Sequence, residues 1–576
     1  MKNRRDIISV ARGEVAADLI LANARIVNVF TGQVETGNVA VCDGLIAGVG
    51  DYREAASVID VEGKYVAPGF IDGHVHLESS MLGVPEYARA VVPRGTLAVV
   101  TDLHEIANVA GLAGLKYSLD SARSLPLDVF LMAPSCVPAT SLETAGAELD
   151  AAALRQISRW KQCIGLGEMM NFPGVLASDA DTLAKINLFR GMALDGHAPS
   201  VTGHDLNAYA AAGIGSDHES VALAEASEKI HLGLHIMIRE GSSEKNLESL
   251  LPLVTDRTYP RCMFVVDDRS CLDLLNDGDL DSILRKAVGL GLDPVRAIQM
   301  VTINPATYFH LGQLGAVAPG YFANLVVLDD LAAFTVDSAF YRGRLVAQLG
   351  KPLFPVDQAK LGDLERTVHI GHFVASALKA KAPGEEAGAR THIRVIEVVP
   401  GQIITKSIVV DVNAKGGEAT SDQARDILKL AVVERHRATG RVGIGFVRGF
   451  GLTMGALASS VAHDSHNIVA VGVDDESILS AVREIERLQG GIVVTQGPEV
   501  ISSLPLPICG LLSGKSVEET AHALLHVESA ARGLGTTLAS PFSTLSFLAL
   551  PVIPELRLTD RGLVDVHQFR FVDLFV

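Results

Sequence analysis

The chain has 576 residues, more than the roughly 250–300 that one hydrophobic core supports, so at least two domains are expected. With 48% hydrophobic and 20% charged residues it has the composition of a folded globular protein, which excludes disorder as its main state. The net charge of −18 argues against nucleic acid as a partner, and the absence of an apolar run of membrane-spanning length argues against a membrane protein.

The N-terminus and the cysteines both indicate the cytoplasm. Arg4 and Arg5 resemble a twin-arginine signal, but Asp6, Arg12 and Glu14 follow where such a signal needs an apolar core. The six cysteines are scattered and form no Cys-x-x-Cys pair, which fits a reducing compartment. We therefore expect a soluble cytoplasmic protein, and the apolar composition favours a homo-oligomer.

The first half of the chain predicts a small β unit followed by a barrel. From Ala17 to about Val61, apolar and polar residues alternate around glycine turns, as in short antiparallel strands. From about Tyr65 to Leu311, eight apolar runs alternate with helix-like stretches, which is typical of a parallel (β/α)₈ barrel of the TIM type. The runs are YVAPGFI, TLAVV, VFLMA, CIGLG, GMAL, AGIG, LGLHIMI and RCMFVV.

The rest of the chain predicts a return to the first unit and then a new domain. The alternating stretch GQLGAVAPGYFANLVVLDDL could rejoin the first strands, so that the barrel is inserted in one small β-sandwich. A linker rich in Ala, Gly and Pro is predicted at residues 379–389, and a helix at residues 421–437 of a C-terminal α+β domain. The predicted domains are 1–64 and 312–378 for the sandwich, 65–311 for the barrel and 391–576 for the C-terminal domain.

The strongest local signal for chemistry is FIDGHVH, at the end of the first run. On a strand, residues two apart point to the same side, so His74 and His76 can present two imidazoles to one metal ion. Two histidines at this spacing are more often incidental, so further ligands are needed to support a metal site.

Such ligands stand at the ends of later runs, where barrel enzymes assemble their active sites. They are Glu168 after the fourth run, His197 after the fifth, His218 after the sixth and Asp267 after the eighth. A helix cap or a loop side chain explains each one singly, but their joint recurrence favours ligands. Four imidazoles and two carboxylates suit two metal ions with a bridging oxygen, and zinc, iron and manganese fit them about equally.

Several longer motifs carry a resemblance to a known family. His-x-His after the first strand and an aspartate after the eighth resemble the amidohydrolase superfamily. Within it, most of the chain resembles the adenine deaminases in the order and spacing of PGFIDGHVHLESSM, HEIANVAG, MAPSCVPAT, GLGEMMNFPGV, GHDLNAYAAAGIGSDHES, REGS and VAHDSHN. The resemblance implies metal-dependent hydrolysis of adenine to hypoxanthine and ammonia in purine salvage.

The resemblance also implies a binuclear site and a mechanism. Its metal ligands would be His74, His76, Glu168, His197, His218 and Asp267, with Glu168 as the bridge. A metal-bridging hydroxide would attack C6 while Asp267 takes its proton and passes it to the departing amine. The candidates to protonate or hydrogen-bond the ring nitrogen are His104, Glu105, Glu219 and Glu240. The predicted catalytic residues are Asp267, Glu168, His104 and Glu219.

A further set of residues is predicted to bind the substrate. It comprises Glu105, Arg239, Glu240, His463, Asp464 and His466. Arg239 and Glu240 could contact the purine edge, although an ion pair on the barrel rim explains them equally well. The last three residues could cover the barrel mouth, or they could simply stabilise a turn.

The chain departs from the family pattern at two points. Leu103 stands where proline is expected before His104 and Glu105, and VVDDRSCLDLL replaces a more polar segment around Asp267. Loops after these strands line the pocket, so the departures bear on substrate choice. The alternatives are an N6-substituted or other aminopurine as substrate, a cyclic-amide hydrolase, and an inactive barrel scaffold. Ammonia release distinguishes a deaminase from a cyclic-amide hydrolase, and an N6-substituted adenine would release an alkylamine instead.

Overall fold

The structure is a computed structural model in which most of the chain is described. The described residues are 4–356, 361–381, 390–400, 402–415 and 417–576. They form a large N-terminal sheet, a barrel and a C-terminal region with its own sheets. In these residues, no helix combines the length and the apolar character needed to cross a membrane.

The first strands build one side of the large sheet. The elements are α1 (Arg4–Ala11), β1 (Ala17–Asn28), β2 (Gln33–Cys42), β3 (Leu45–Gly50), β4 (Ala55–Asp60) and β5 (Tyr65–Pro68). β1 pairs antiparallel with β2, as the alternating pattern predicts, but β4 and β5 pair parallel with β1. Leu21, Ile26 and Val39 are buried in one apolar cluster against this sheet.

The barrel follows directly. Its elements are β6 (Phe70–Asp72), β7 (Val75–His76), α2 (Val84–Val91), β8 (Thr96–Thr101), α3 (His104–Ala122), β9 (Asp128–Ala133), α4 (Ala151–Ile157), β10 (Cys163–Met169), α5 (Phe172–Leu176), α6 (Ala180–Leu188), β11 (Ala193–Gly196), α7 (Gly203–Ala211), β12 (Ser216–Asp217), α8 (Leu223–His231), β13 (His235–Arg239), α9 (Leu247–Leu250), β14 (Cys262–Val265), β15 (Asp267–Asp268), α10 (Cys271–Asn276), α11 (Leu280–Gly289), α12 (Pro294–Met300) and α13 (Ile303–Tyr308). Short 3₁₀ helices occupy Leu77–Ser80, Val92–Arg94, Leu251–Leu253 and Tyr259–Arg261.

The predicted parallel barrel is confirmed by the strand pairing. β6, β8, β9, β10 and β11 form one parallel arc, and β12, β13 and β14 form another. The arcs meet where Gly215 N donates to Leu194 O at 2.9 Å. On the other side, β15 pairs parallel with β7, and Val266 N donates to Asp72 Oδ2 at 3.2 Å. The sixth strand is only two residues long and follows the predicted run AGIG.

After the barrel, the chain returns to the first sheet. The strands are β16 (Leu325–Leu328), β17 (Val336–Tyr341), β18 (Arg344–Gln348) and β19 (Lys351–Pro352). β16 pairs antiparallel with β5, so strands from both sides of the barrel segment share one sheet. Val368, Ile370 and Leu378, which the sequence analysis places with the sandwich, instead pack in the C-terminal core. The domain boundaries themselves stay predictions.

The C-terminal region mixes helices and strands, as expected. Its elements are β20 (Ala380–Lys381), β21 (Arg390–Val398), β22 (Thr405–Lys415), β23 (Glu418–Ala419), β24 (Ile427–Val433), β25 (Val442–Arg448), β26 (Ala456–Ser459), β27 (Ile468–Gly472), α14 (Asp475–Leu488), β28 (Gly491–Gln496), β29 (Glu499–Pro505), α15 (Val517–Gly533), α16 (Pro541–Phe547), β30 (Leu556–Thr559), β31 (Gly562–Asp565) and β32 (Arg570–Val572). Further 3₁₀ helices lie at Gly362–Glu365, Ala375–Leu378 and Gln423–Arg425. β20 to β29 form one sheet and β30 to β32 a smaller one.

The helix predicted at residues 421–437 is wrong. Its residues Ile427–Val433 form the strand β24, which pairs antiparallel with both β25 and β27 and is buried along its whole length. A short apolar run buried on both faces has no periodicity that separates strand from helix, so distant pairing decided its structure. Of the linker predicted at residues 379–389, residues 382–389 lie outside the described residues.

The C-terminal region is hydrogen-bonded to the barrel loop that follows β9. The backbone nitrogen and the hydroxyl of Thr144 donate to the two carboxylate oxygens of Asp560, at 2.9 and 2.7 Å. Asn467 Nδ2 donates to Thr144 O at 2.8 Å, and Ser465 Oγ donates to Glu143 Oε2 at 2.6 Å. These buried hydrogen bonds fix the loop containing residues 462–467 beside the barrel.

A buried lysine in the barrel wall is predicted to be important for stability. The fully buried Lys229 on α8 donates to Asp217 at 2.9 Å and to Glu225 at 2.7 Å. Lys229→Met leaves the Asp217 carboxylate buried without its cation, a change that costs about 3–5 kcal/mol. We expect the midpoint of thermal unfolding, measured by circular dichroism, to fall by several degrees.

Arg487→Met is the matched control, because Arg487 pairs with Glu484 on α14 while its side chain is 68% exposed. Solvent screens such a pair, so its loss should leave the midpoint almost unchanged. Equal midpoints for the Lys229 variant and the control would contradict the stabilising role of Lys229.

Candidate metal centre

The first and last strands of the barrel bring three ligand-type side chains together. His74 and His76 point to the same side, and their Nε2 atoms lie 3.2 Å apart. Asp267, which begins β15, places Oδ1 3.5 Å from His74 Nε2 and 3.2 Å from His76 Nε2. All three side chains are buried. The three atoms form a compact triangle at the strand ends.

A second triangle is centred on Glu168, at the end of β10. Glu168 Oε2 lies 2.6 Å from His197 Nδ1 and 3.2 Å from His218 Nε2. Its other oxygen, Oε1, lies 3.5 Å from His76 Nε2. Glu168 therefore reaches both triangles, and the six side chains predicted as ligands meet in overlapping groups, in which His197 is half-buried and the other five are buried.

Two aspartates that were not predicted lie beside these imidazoles. Asp195 Oδ2 lies 2.8 Å from His74 Nδ1, and Asp102 Oδ1 lies 3.4 Å from His76 Nδ1. A proton on each Nδ1 leaves the Nε2 lone pair available for a ligand bond. Each aspartate stands two residues before a site histidine at a strand end, so the period-two pattern that revealed the first pair could have revealed these as well.

The donor set fits divalent metal ions. When both Nδ1 atoms carry protons, the Nε2 lone pairs of His74 and His76 face each other at 3.2 Å, an arrangement that favours a cation between them. Two bonds of about 2.0–2.1 Å from one ion, meeting at about 90–109°, separate the bonded atoms by about 2.8–3.4 Å. Cations would also balance the buried carboxylates, whose desolvation is costly.

His104 lies between the metal-ligand group and the C-terminal region. Its Nδ1 is 3.0 Å from Asp102 Oδ1 and 3.5 Å from Glu168 Oε1. Its Nε2 is 3.6 Å from Glu105 Oε1 and 3.8 Å from Asp464 Oδ1. Burial alone would lower the pKa of His104, but the carboxylates of Asp102 and Glu105 raise that pKa well above its ordinary value. The imidazole is thus held by carboxylates on both sides.

Positive backbone φ angles occur at three residues in this region. Leu103 has φ 55°, Asp267 has φ 64° and His466 has φ 55°. Proline fixes φ near −65°, so the proline expected at position 103 is incompatible with the backbone conformation that Leu103 adopts. A left-handed conformation costs roughly 1–2 kcal/mol per non-glycine residue, and such residues are concentrated at functional sites.

Arg239 and Glu240 have different surroundings. Arg239 donates to Asp267 Oδ2 at 2.8 Å and to both carboxylate oxygens of Glu219, at 2.5 and 3.0 Å. Burial alone would raise the pKa of Glu219, but the Arg239 guanidinium holds that pKa below its ordinary value. Glu240 instead accepts from Lys286 Nζ at 2.6 Å and from Leu247 N at 3.1 Å. Neither partner belongs to the two triangles.

The C-terminal region contributes a second group of polar side chains, centred on Glu105. His463 Nδ1 contacts Glu105 Oε1, and His466 Nε2 contacts Glu105 Oε2. His466 Nδ1 accepts from Ala462 N at 3.1 Å, so the ring proton lies on Nε2, the nitrogen that contacts Glu105. Burial lowers the pKa of His463, but Glu105 raises it to about 9. Burial raises the pKa of Asp464 to about 6.

A cavity of about 320 Å³ adjoins this second group. Glu105, His463 and His466 line it together with barrel residues such as Ser242 and with Phe547 of α16. The Phe547 ring stacks on the His463 imidazole, with centroids 4.7 Å apart and planes at 23°. A larger depression of about 880 Å³ on the C-terminal sheet contains none of the predicted site residues.

Comparisons with known proteins agree with this architecture. The amidohydrolase family model matches residues 65–346, and the model of the adenine deaminase C-terminal domain matches residues 402–570. An adenine deaminase of Dehalococcoides mccartyi strain CBDB1 is 54% identical over 99% of both chains. Adenine deaminase 2 of Carboxydothermus hydrogenoformans is 48% identical over 99% of both chains. A crystal structure of an adenine deaminase, 18% identical with a TM-score of 0.44, covers 57% of this chain and 99% of its own.

The two triangles predict tightly bound divalent metal. His76→Ala removes a nitrogen donor, so we expect less metal per chain by mass spectrometry. Asp195→Ala removes the partner that orients His74, and loss of such a partner weakens metal affinity by about 10- to 100-fold. Competition with a chromophoric chelator measures that change.

His235→Ala is the control, because the His235 ring packs beside Tyr308, with centroids 4.5 Å apart, and belongs to neither triangle. Its metal content should equal that of the unmodified protein. A full metal complement in His76→Ala, or a loss in His235→Ala, would place the metal elsewhere.

Proposed function

The chain belongs to the adenine deaminase family of amidohydrolases, and from this we propose that it hydrolyses adenine to hypoxanthine and ammonia. The observation that carries the proposal is the meeting of six imidazole and carboxylate side chains, which His104 connects to Glu105 in the wall of a cavity of about 320 Å³. Ligand sites in proteins begin at roughly this size. A flat nucleobase suits a cavity with a stacked Phe547–His463 pair in its wall.

We propose two divalent ions, of manganese, iron or zinc, on the two triangles, with the Glu168 carboxylate reaching both. Such ions, when bound, lower the pKa of water and supply hydroxide near neutral pH. The protein contributes the orientation of these ligands. The hydrogen bond from Asp195 fixes the tautomer of His74, which leaves its Nε2 lone pair free, and the Asp102 carboxylate lies near Nδ1 of His76.

Asp267 is the proposed proton carrier between the attacking water and the departing amine. One of its oxygens faces the Nε2 atoms of His74 and His76, and the other accepts from Arg239 at 2.8 Å. The Arg239 guanidinium therefore holds the carboxylate in one orientation. A positioned carboxylate of this kind accelerates proton transfer by about 10²- to 10⁴-fold.

His104 is our proposed partner for the purine ring nitrogen. Its imidazole lies between Glu168 and the Glu105–Asp464 pair, so it connects the metal ligands with the cavity side of the site. Glu219, held by Arg239, remains a second candidate. We propose that Glu105, fixed by two imidazoles of the C-terminal region, binds a purine N–H group.

We also propose a cytoplasmic location and a homo-oligomeric state. The free thiols of Cys136, Cys163, Cys262, Cys271 and Cys509 are compatible with a reducing compartment. Light scattering of the purified protein measures the oligomeric state.

The proposed reaction predicts equal amounts of hypoxanthine and ammonia from adenine. Asp267→Asn keeps the shape of the side chain but cannot take up the proton, so kcat should fall by about 10²- to 10⁴-fold. Hypoxanthine is measured by absorbance and ammonia by a coupled assay.

Turnover of N6-substituted adenines distinguishes the remaining candidate substrates. If N6-methyladenine is turned over faster than adenine, with release of methylamine, the true substrate is an N6-substituted purine. If metal-loaded protein turns over neither purine, the deaminase proposal is wrong.

The role of Glu105 is testable separately. Glu105→Gln removes the charge that His463 and His466 hold in place, and loss of a charged hydrogen bond costs about 1.5–3 kcal/mol. We expect kcat/KM for adenine to fall about 10- to 100-fold while metal content stays unchanged. The exposed His567→Gln serves as the control. An unchanged kcat/KM in Glu105→Gln would remove Glu105 from the substrate site.

A further inference from the structure

α15 presents two histidines to solvent on adjacent turns. The helix begins with a capping box formed by Ser516 and Glu519. Its packed face is fixed by the buried residues Val517, Thr520, Ala521, Leu524, Val527 and Ala531. This face turns His522 and His526 outward, and both are exposed. Residues four apart on a helix lie one above the other, so the two imidazoles share one surface stripe.

The two rings have the geometry of a chelating pair. His522 Nε2 and His526 Nε2 lie 3.2 Å apart, and the ring centroids are 4.4 Å apart. This separation falls within the about 2.8–3.4 Å expected for two nitrogens bound to one ion at tetrahedral to octahedral angles. It also equals the distance between the Nε2 atoms of His74 and His76 in the barrel.

The imidazole nitrogens on this stripe favour transition-metal ions as ligands. Neutral imidazole nitrogens bind zinc, nickel and copper(II), whereas magnesium and calcium require oxygen ligands. Glu518 lies one turn before His522 and is exposed, so its carboxylate is available on the same stripe. Water can complete the coordination, because the site is open to solvent.

We propose that His522 and His526 form a surface site for one divalent transition-metal ion, with Glu518 as a third donor. The site is separate from the barrel centre, and it does not depend on the proposed function. An ion there would link two turns of α15, the helix that also contributes Leu524 and Glu528 to the wall of the 320 Å³ cavity.

The test uses full-length protein with its barrel centre loaded and excess metal removed. Nickel is titrated by equilibrium dialysis, while mass spectrometry confirms that the original metal is retained. We expect one additional nickel ion per chain. His522→Ala and His526→Ala should each raise the dissociation constant of that ion at least about tenfold, since even loss of an outer partner of a metal ligand has that effect.

His204→Ala is the matched control, since His204 is also an exposed histidine on a helix, α7, but its neighbours four residues away are Ser200 and Ala208. Its nickel binding should equal that of the unmodified protein. Circular dichroism checks that each variant is folded. The proposal is overturned if the unmodified protein takes up no additional nickel at millimolar concentration. It is equally overturned if the additional ion binds His522→Ala undiminished, because the pair would then be only an N–H···N contact.

Discussion

The rest of the structure depends on a dense group of imidazoles and carboxylates buried at the barrel mouth. The Nε2 atoms of His74 and His76 face each other at 3.2 Å, and the carboxylates of Asp267 and Glu168 close around them. Apolar packing cannot stabilise such a group, since buried charge is costly unless it is paired. Metal cations would satisfy this electrostatic demand and would also provide the chemistry. The need to neutralise this buried charge thus links the stability of the fold to the chemistry of the site.

The site is completed by a second part of the chain. Glu105 follows the second strand of the barrel, yet its two oxygens are held by His463 and His466 of the C-terminal region. Buried hydrogen bonds join that region to the loop after β9. They include the bonds of Asp560 with Thr144, and they hold the C-terminal region against the barrel. The cavity wall therefore belongs to both parts, and neither encloses the cavity alone.

Local rules account for the predictions that were confirmed and for those that were wrong. Strand ends in a parallel barrel lie on one rim, so apolar runs followed by His, Asp or Glu could be recognised without coordinates. The same reasoning, applied two residues earlier, would have found Asp102 and Asp195. The helix expected at residues 421–437 was wrong because β24 is stabilised by pairing with β25 and β27, which lie elsewhere in the chain.

What the sequence by itself determined is the family, the barrel, and the kind and order of the side chains at its strand ends. The barrel and its strand ends follow from periodicity and spacing over a few residues, and the family follows from the resemblance of several longer motifs in order. Only the tertiary structure decided which atoms face one another. His463 meets Glu105 across 358 positions, and Glu240 turns to Lys286. Such contacts depend on how barrel closure and domain docking place distant segments, and no local pattern encodes that.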